Sequence, residues 1–338
     1  MLFLQLKNTI KLPLLLFSVL VKLKRQRHYM NAGLEPELAD YSRRNDGSLK
    51  PDDFYKIRKY YGYAVPAMLG EAFCVLRGYP MTITEREAST SQGVITGIFD
   101  DFFDKQQLDF EEINMITNDP ESFQPKSLVQ EIFVKHWQIV LKKAGNKELL
   151  RETRDKILGS QKDSIEQEND SIGFDRIKKV TFDKGGYSVL FYRSAFGHPL
   201  AAGEYEAVYH LGALFQLGND IFDLYFDQQQ NIKTLLTSTG SIDKVISIFN
   251  ELRDKVVRLS YAMDYPSKRI RSYLRHLFPV VSRCEVCLAQ LKRMEDYYGR
   301  FDPAIMSRQE LVCDMEKPSN FWRSVKCYLK TDFNEKKD

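Results

Sequence analysis

Apolar residues recur at spacings of three and four along most of the chain after residue 51, as they do on the buried face of an amphipathic helix. Turn-forming residues separate these segments, for example at 118–120 and 197–199. No alternation of strand-like and helix-like periodicity is present, so no βαβ unit is expected. The pattern predicts an all-α protein with helices near residues 52–60, 65–78, 84–107, 126–145, 147–168, 173–197, 203–228, 241–262 and 266–298.

The amino-terminal residues 1–27 follow a different pattern, apolar and basic, with no acidic residue before Glu35. Lys7, Lys11 and Pro13 interrupt the apolar run before it reaches the ~20 residues that a membrane-spanning helix needs. Two interpretations remain open. The segment is either a helix that lies on a membrane surface or a helix packed on the outside of the domain.

The remaining chain divides into three parts. Residues 28–51 are polar and predict a linker, and residues 52–300 predict one large helical domain. The pattern weakens in residues 301–338, which predict a carboxy-terminal extension that ends in a disordered tail at 332–338.

Composition limits the possible functions. Hydrophobic residues make up 43% of the 338 residues, enough to fill a large core, and the net charge of +3 is too balanced to favour a nucleic-acid partner. The number of cysteines is odd, and Cys284 and Cys287 form a lone C-x-x-C within a helical pattern. We interpret them as reduced core cysteines rather than as a redox or metal pair, which favours a cytoplasmic location.

Two acidic clusters interrupt otherwise apolar helical sequence. Side chains three and four positions apart share a helix face, so each cluster presents several oxygen atoms in one direction. The first cluster consists of Asp100, Asp101 and Asp104, and the second of Asn219, Asp220, Asp223 and Asp227.

Burying unpaired carboxylates costs several kcal/mol, so such clusters need a compensating charge. Mg²⁺ prefers oxygen ligands and is usually bound by one or two carboxylates together with substrate phosphates. The alternative is that the acids lie on solvated helix faces. Two clusters that are both flanked by aromatic residues favour binding of metal and diphosphate over that alternative.

The two clusters resemble the motifs of the class I isoprenoid synthases. Residues 100–104 match the first motif of that family, Asp-Asp-x-x-Asp. Residues 215–223 are similar to the second motif of trans-prenyltransferases, Phe-Gln-x-x-Asp-Asp-x-x-Asp, with Asn219 in place of an aspartate. They also fit the terpene-cyclase pattern Asn/Asp-Asp-x-x-Ser/Thr-x-x-x-Glu, with Asp223 and Asp227 at its last two ligand positions.

This resemblance, which covers roughly residues 55 to 298, implies a single large helical bundle of the terpene synthase type with the two motifs facing each other across a cavity. It also implies about three Mg²⁺ ions, with Mn²⁺ as a substitute, bound by oxygen ligands. The implied partner is a prenyl diphosphate, and a homodimer is compatible with the family. The implied metal ligands are Asp100, Asp104, Asn219, Asp223 and Asp227, and the catalytic set adds Asp101 and Asp220.

Basic and aromatic residues complete the expected site. Residues 184–186 resemble the Lys-Thr-Gly of trans-prenyltransferases, whose lysine contacts the diphosphate, and terpene cyclases carry a diphosphate-sensing arginine on the same helix. In those cyclases this helix breaks at small residues, for which 185–186 is the candidate here. The expected substrate-binding residues are Lys184, Arg176, Gln216, Phe99 and Tyr187.

Missing residues separate the subfamilies. Chain-elongating prenyltransferases hold a second diphosphate with Gly-Gly-Lys-Arg-x-Arg-Pro, whereas residues 61–69 keep Gly62 and Pro66 but lack those cations. We therefore expect a terpene synthase that ionises an allylic diphosphate with Mg²⁺ and then cyclises or deprotonates the carbocation. The alternatives are a prenyltransferase, either chain-elongating or head-to-head as in squalene and phytoene synthases, and a helical protein that binds prenyl diphosphate or a membrane without catalysis.

Overall fold

A computed structural model describes residues 2–104 and 108–335 of the chain. Every regular element in these residues is helical, which confirms the all-α prediction, while the terpene synthase type of bundle remains a prediction. The α-helices are α1 (Leu2–Ala32), α2 (Leu34–Arg43), α3 (Pro51–Lys56), α4 (Glu71–Arg77), α5 (Ile83–Asp104), α6 (Phe110–Asn118), α7 (Leu128–Lys143), α8 (Lys147–Ser164), α9 (Phe174–Arg193), α10 (Glu204–Gln229), α11 (Ile242–Tyr261), α12 (Ser267–Tyr298), α13 (Arg308–Leu311) and α14 (Pro318–Lys330).

The chain forms two compact units. The first unit comprises Met1–Pro13, Thr153–Leu190 and Leu200–Asp338, and the second comprises Leu14–Glu152 and Phe191–Pro199. The acidic motif at 219–227 lies in the first unit. The acidic motif at 100–104 lies in the second unit.

The observed element boundaries differ from two parts of the predicted domain division. The segment 28–51, predicted as a linker, contains the end of α1 and all of α2, because Leu34, Leu38 and Tyr41 form a buried apolar stripe within polar sequence. In the predicted tail, Phe333 is only 1% exposed, and its carbonyl accepts a hydrogen bond of 2.5 Å from the Tyr261 hydroxyl. Residues 336–338 of that tail lie outside the described residues.

The core of the second unit lies between α5 and α7. Phe102 on α5 is fully buried, with its ring centroid 5.1 Å from that of Phe133 on α7. The Phe133 ring is also stacked on Phe99 at 5.9 Å and on Trp137 at 6.5 Å. These contacts fix the carboxyl-terminal half of α5, which carries the first acidic motif.

Two π-helical segments, Ile57–Ala64 and Pro66–Gly70, join α3 to α4 without a break in the helical backbone. The first segment packs very closely on α5, since a Cβ added at Gly93 would lie 2.1 Å from the Tyr61 carbonyl oxygen. π-Helical turns are rare and occur often at functional sites. The stretch at 61–69 that distinguishes the subfamilies therefore has an unusual backbone.

The two cysteines of the C-x-x-C pattern are buried, as predicted for core cysteines. Cys284 and Cys287 lie on α12, are free thiols and are at most 2% exposed. Burial raises the pKa of the Cys284 thiol to about 12, which is typical of an inert core cysteine.

Candidate functional site

The second acidic motif occupies the last three turns of α10 and presents two faces. Asn219 is exposed, and its side-chain amide donates a hydrogen bond of 3.0 Å to the carboxylate of Asp223. Asp223 and Asp227 are half-buried. Asp220 points to the interior and is only 6% exposed. The spacing of four residues thus brings Asn219 and Asp223 together, as expected for neighbours on a helix face.

Asp220 is held by two polar side chains. It accepts hydrogen bonds from the Gln216 amide at 2.9 Å and from the Thr181 hydroxyl at 3.3 Å. Burial raises the pKa of Asp220 to about 6, although Gln216, the Lys184 charge and Thr181 all oppose the rise. Gln216, expected to bind substrate, therefore bonds to the motif itself. Thr181 was not identified from the sequence, although it lies one turn before Lys184.

Asp227 carries the larger perturbation. Its pKa is raised to about 8, mainly by burial and also by the negative charges of Asp220 and Asp223, while the charge of Lys184 opposes the rise. A carboxyl with such a pKa is protonated for much of the time at neutral pH. The α10 cluster therefore holds more acidic groups than the protein alone can keep ionised, which is the situation that a divalent cation relieves.

Lys184 reaches this cluster because α9 and α10 approach each other unusually closely. A Cβ added at Gly185 would lie 2.3 Å from the Gly212 carbonyl oxygen, and one at Gly186 would lie 2.3 Å from the Tyr209 ring. Helix α9 is continuous through both glycines, so the expected helix break is absent. The glycines instead remove the side chains that would separate the two helices, and Lys184 comes close enough to lower the pKa of Asp220 and of Asp227.

The two arginines of α9 have other partners. Arg176 donates hydrogen bonds of 2.7 and 2.8 Å to Glu166, and its guanidinium lies 3.1 Å from Asp163. Arg193 is completely buried and donates to the backbone carbonyls of Phe196, His198 and Pro199 at 3.1 to 3.3 Å. The structure thus brings Lys184 to the acidic motif, but it places Arg176 against the acids near the end of α8.

Tyr187 and an unexpected acid lie beside Lys184 on α9. The Tyr187 ring packs edge-on against Tyr209 at 5.4 Å. Asp183 is buried and accepts hydrogen bonds from the Tyr209 hydroxyl, at 2.5 Å, and from the Lys179 ammonium. Nothing in the spacing of residues along the chain indicates this network, because Tyr209 lies 26 positions after Asp183.

The first acidic motif lies at the end of α5. Asp100 and Asp101 are half-buried, whereas the side chain of Asp104 and residues 105–107 lie outside the described part of the chain. The Tyr192 and Thr96 hydroxyls are 2.5 Å apart. Burial raises the pKa of Tyr192, Thr96 opposes the rise, and the charge of Asp100 adds to it. Asp100 therefore lies near a buried tyrosine that the sequence analysis did not identify.

Phe99, the remaining predicted substrate-binding residue, is half-buried among aromatic rings of α5 and α7. Its ring centroid lies 5.3 Å from that of Phe103 and 5.9 Å from that of Phe133. Phe99 therefore packs in the core beneath the first motif and exposes only part of its surface.

The donor atoms of the second motif fit Mg²⁺. In the described part of the chain, no three His, Cys, Asp or Glu side chains converge to form a complete metal site. Asn219 and Asp223 nevertheless are adjacent, with the Asn219 amide nitrogen bonded to a carboxylate oxygen of Asp223, and Asp227 adds a carboxyl that is difficult to ionise. Mg²⁺ commonly takes one or two carboxylates and fills its other positions with water and phosphate oxygens. That the first motif supplies further ligands remains a prediction.

Comparison with known proteins adds no family assignment. No protein-family model matches the chain, and no curated protein or solved structure matches it.

Asp227→Asn should change how stability depends on pH. The pKa of Asp227 is about 8 in the folded chain and about 3.9 in an unfolded chain, so between these values only the folded state binds the proton. Unfolding then releases a proton, and the stability of the native protein falls as pH rises from 4 to 8. The variant should lack this fall and be about 2 kcal/mol more stable than the native protein at pH 8. A shift of four pKa units at about 1.4 kcal/mol each would imply a larger difference, but water reaches the half-buried group and reduces it.

Urea denaturation at pH 5, 6.5 and 8 in metal-free buffer would measure this difference. The exposed Asp52 provides a control, since Asp52→Asn should leave the pH profile of the native protein unchanged. Parallel profiles for Asp227→Asn and the native protein would mean that Asp227 is ionised throughout.

Proposed function

We propose that this protein is a class I terpene synthase that ionises an allylic prenyl diphosphate with Mg²⁺ and cyclises or deprotonates the resulting carbocation. The observation that carries the proposal is the α10 cluster. Buried and half-buried acids with raised pKa values lie beside Lys184, in a motif that resembles the metal-binding motif of these enzymes. Such an arrangement is unfavourable in an isolated protein and becomes favourable when cations and a polyanionic ligand bind.

The residues of α10 have distinct roles in this proposal. Asn219, Asp223 and Asp227 would hold Mg²⁺, and the bound ion would supply positive charge to neutralise a departing diphosphate. Asp220 is a positioning residue, because the hydrogen bond that it accepts from Thr181 fixes the motif against α9, and Gln216 holds its carboxylate from one turn earlier on α10. Asp100, Asp101 and Asp104 keep the metal-binding and catalytic roles implied by the resemblance.

Lys184 would stabilise the negative charge that develops on the leaving group. Its charge lowers the pKa of both Asp220 and Asp227, so a diphosphate held at the motif by metal ions would lie within the field of the same charge. Tyr187, three residues further along α9, has an aromatic ring of the kind that stabilises a cation, and the Lys156 ammonium lies 5.8 Å from the centre of that ring. Arg176 would contribute only after releasing Glu166 and Asp163.

The segment at 61–69 argues against chain elongation. A second diphosphate would need cations there, but Lys56 pairs with Asp52 at 3.4 Å and Arg58 with Glu35 at 3.0 Å. One observation favours the prenyltransferase alternative. The Arg27 guanidinium lies 4.4 Å from the centre of the Tyr63 ring and brings a cation from α1 to this segment.

Incubation with prenyl diphosphates distinguishes these functions. We expect the full chain with Mg²⁺ to release diphosphate from an allylic substrate between C10 and C25 and to form a hydrocarbon or an alcohol. Labelled isopentenyl diphosphate should not be consumed, because the segment at 61–69 lacks the cations to bind it. Gas chromatography of the products and scintillation counting of the label measure both results.

Each other result identifies another function. Label in a longer prenyl chain would show an elongating prenyltransferase, and a product of twice the substrate length would show a head-to-head enzyme. Binding of substrate without turnover would favour a non-catalytic protein. Arg27→Gln serves as a specific control, because it should abolish elongation but leave a terpene synthase active.

A further inference from the structure

Helix α1 contacts the rest of the protein through polar side chains. Asn8 is 1% exposed and donates hydrogen bonds to the backbone oxygens of Leu329, at 3.1 Å, and of Thr331, at 2.9 Å. Gln26 is completely buried and donates to the Gly62 carbonyl at 2.7 Å and to the Thr90 hydroxyl at 2.9 Å. The side of α1 that faces the protein is therefore partly polar and specifically bonded.

The exposed side of the same helix is apolar. Leu6, Ile10, Leu14 and Phe17 follow each other at spacings of four, four and three, so they form one stripe, and each exposes 59 to 71% of its surface. Leu20 extends the stripe at 63% exposure, which makes it ~21 Å long at about 1.5 Å per residue. This arrangement is the reverse of a surface helix in water, which buries its apolar face. A continuous apolar patch of this kind is typical of an interaction surface.

Positive charge surrounds both ends of the stripe. Near its start, the pKa of Lys11 is lowered, mainly by the charge of Arg275 and by burial. The charges of Lys7, Arg271 and Lys268 also lower it, so several cations act on this end of the stripe. Lys24 and Arg25 are exposed just beyond its end. No acidic residue precedes Glu35 in the chain. Apolar side chains flanked by cations are complementary to a bilayer surface that carries anionic head groups.

We propose that α1 docks this protein on an anionic lipid surface, with the stripe of Leu6, Ile10, Leu14, Phe17 and Leu20 inserted and the helix parallel to the membrane plane. In the described part of the chain, α1 is also the one helix long and apolar enough to cross a membrane. A crossing orientation would break the buried hydrogen bonds of Asn8 and Gln26, so the parallel orientation is favoured. This inference does not depend on the proposed enzymatic function.

Vesicle flotation of the full chain tests the proposal. We expect binding to vesicles of phosphatidylcholine with 30% phosphatidylglycerol to be at least tenfold stronger than to phosphatidylcholine alone. Binding should weaken, but persist, in 0.5 M NaCl, because salt screens charge and leaves apolar insertion intact. Leu14→Glu with Phe17→Glu should reduce binding at least tenfold, whereas Tyr297→Glu, at a tyrosine of α12 that is 77% exposed, should not. All variants should retain the native helicity, since the replaced side chains are exposed.

Lys24→Glu with Arg25→Glu separates the two contributions. It should weaken the preference for anionic vesicles, because only the cations around Lys11 remain, and it should keep the apolar part of the binding. Equal binding of Leu14→Glu with Phe17→Glu and the native chain would overturn the proposal. So would a dimer in analytical ultracentrifugation that this variant converts to a monomer, because a second copy would then cover the stripe. Protein that stays on vesicles after alkaline carbonate treatment would show a spanning helix and contradict the parallel orientation.

Discussion

Asn219→Ala and Asp100→Ala should each lower the rate of diphosphate release by about 10²–10³-fold, the loss seen when one preorganised electrostatic contact to a leaving group is removed. In the proposed function both residues supply metal ligands, and fewer ligands leave the departing diphosphate less neutralised. A phosphate-release assay with saturating Mg²⁺ measures the effect. The melting temperature should stay within about 2 °C of the native value, because Asn219 is exposed and Asp100 is half-buried.

The control for this prediction is Gln229→Ala, an exposed position on the same helix beyond the motif, which should retain full activity. Binding of Mg²⁺ with inorganic diphosphate, measured by calorimetry, adds a readout that does not depend on the choice of substrate. Native turnover in both Asn219→Ala and Asp100→Ala would show that the acidic motifs do not bind the catalytic metal.

Gly185→Ala should destabilise the protein by about 1–3 kcal/mol or more, the range found for overpacked cores. The new methyl group would lie 2.3 Å from the Gly212 carbonyl oxygen and 2.5 Å from the Gln216 Cβ, so α9 and α10 must separate. We expect the midpoint of thermal denaturation to fall by roughly 2–4 °C per kcal/mol. The activity of the protein that remains folded should also fall, because Lys184 would move away from the acidic motif.

Gly159→Ala provides a matched control in the interior of another helix. Nothing lies within 4 Å of a Cβ added there, so the substitution should stabilise α8 by about 0.5–1 kcal/mol through helix propensity alone. We therefore expect Gly185→Ala to lower the free energy of unfolding and Gly159→Ala to raise it. If Gly185→Ala is as stable as Gly159→Ala, α9 and α10 do not pack as closely as described.

Helix positions were predictable because the signal is local. The predicted segments at 84–107, 203–228 and 266–298 correspond closely to α5, α10 and α12. Each of these helices has a long apolar face with a regular spacing of three and four residues. The two segments predicted at 52–60 and 65–78 form one continuous helical stretch instead, because its π-helical turns do not follow the period that the pattern assumes.

The predictions that failed depended on packing partners far away in the chain. Two adjacent glycines usually weaken a helix, yet Gly185 and Gly186 lie in a continuous helix because Gly212 and Tyr209 come into contact with them. The polar composition of 28–51 indicated a loop, but α2 forms within the second unit and buries three of its residues there. Phe333 is buried for the same reason, since Phe278 and Tyr328 pack around its ring.

The sequence by itself determined the helical class, the position of both acidic motifs and the cation that precedes the second one, because residue type and helical spacing are local properties. Only the tertiary structure decided which partners these residues meet. Asp220 accepts a hydrogen bond from Thr181, which lies 39 positions earlier in the chain. The pKa of Asp227 rises because the folded chain buries its carboxyl group, and sequence spacing does not specify that burial. The same holds for α1, because a periodic apolar pattern is identical whether its face turns to protein or to lipid. Leu14 and Phe17 are exposed because polar side chains on the opposite face of α1, such as Gln26, bond to the protein, and only the tertiary structure shows this.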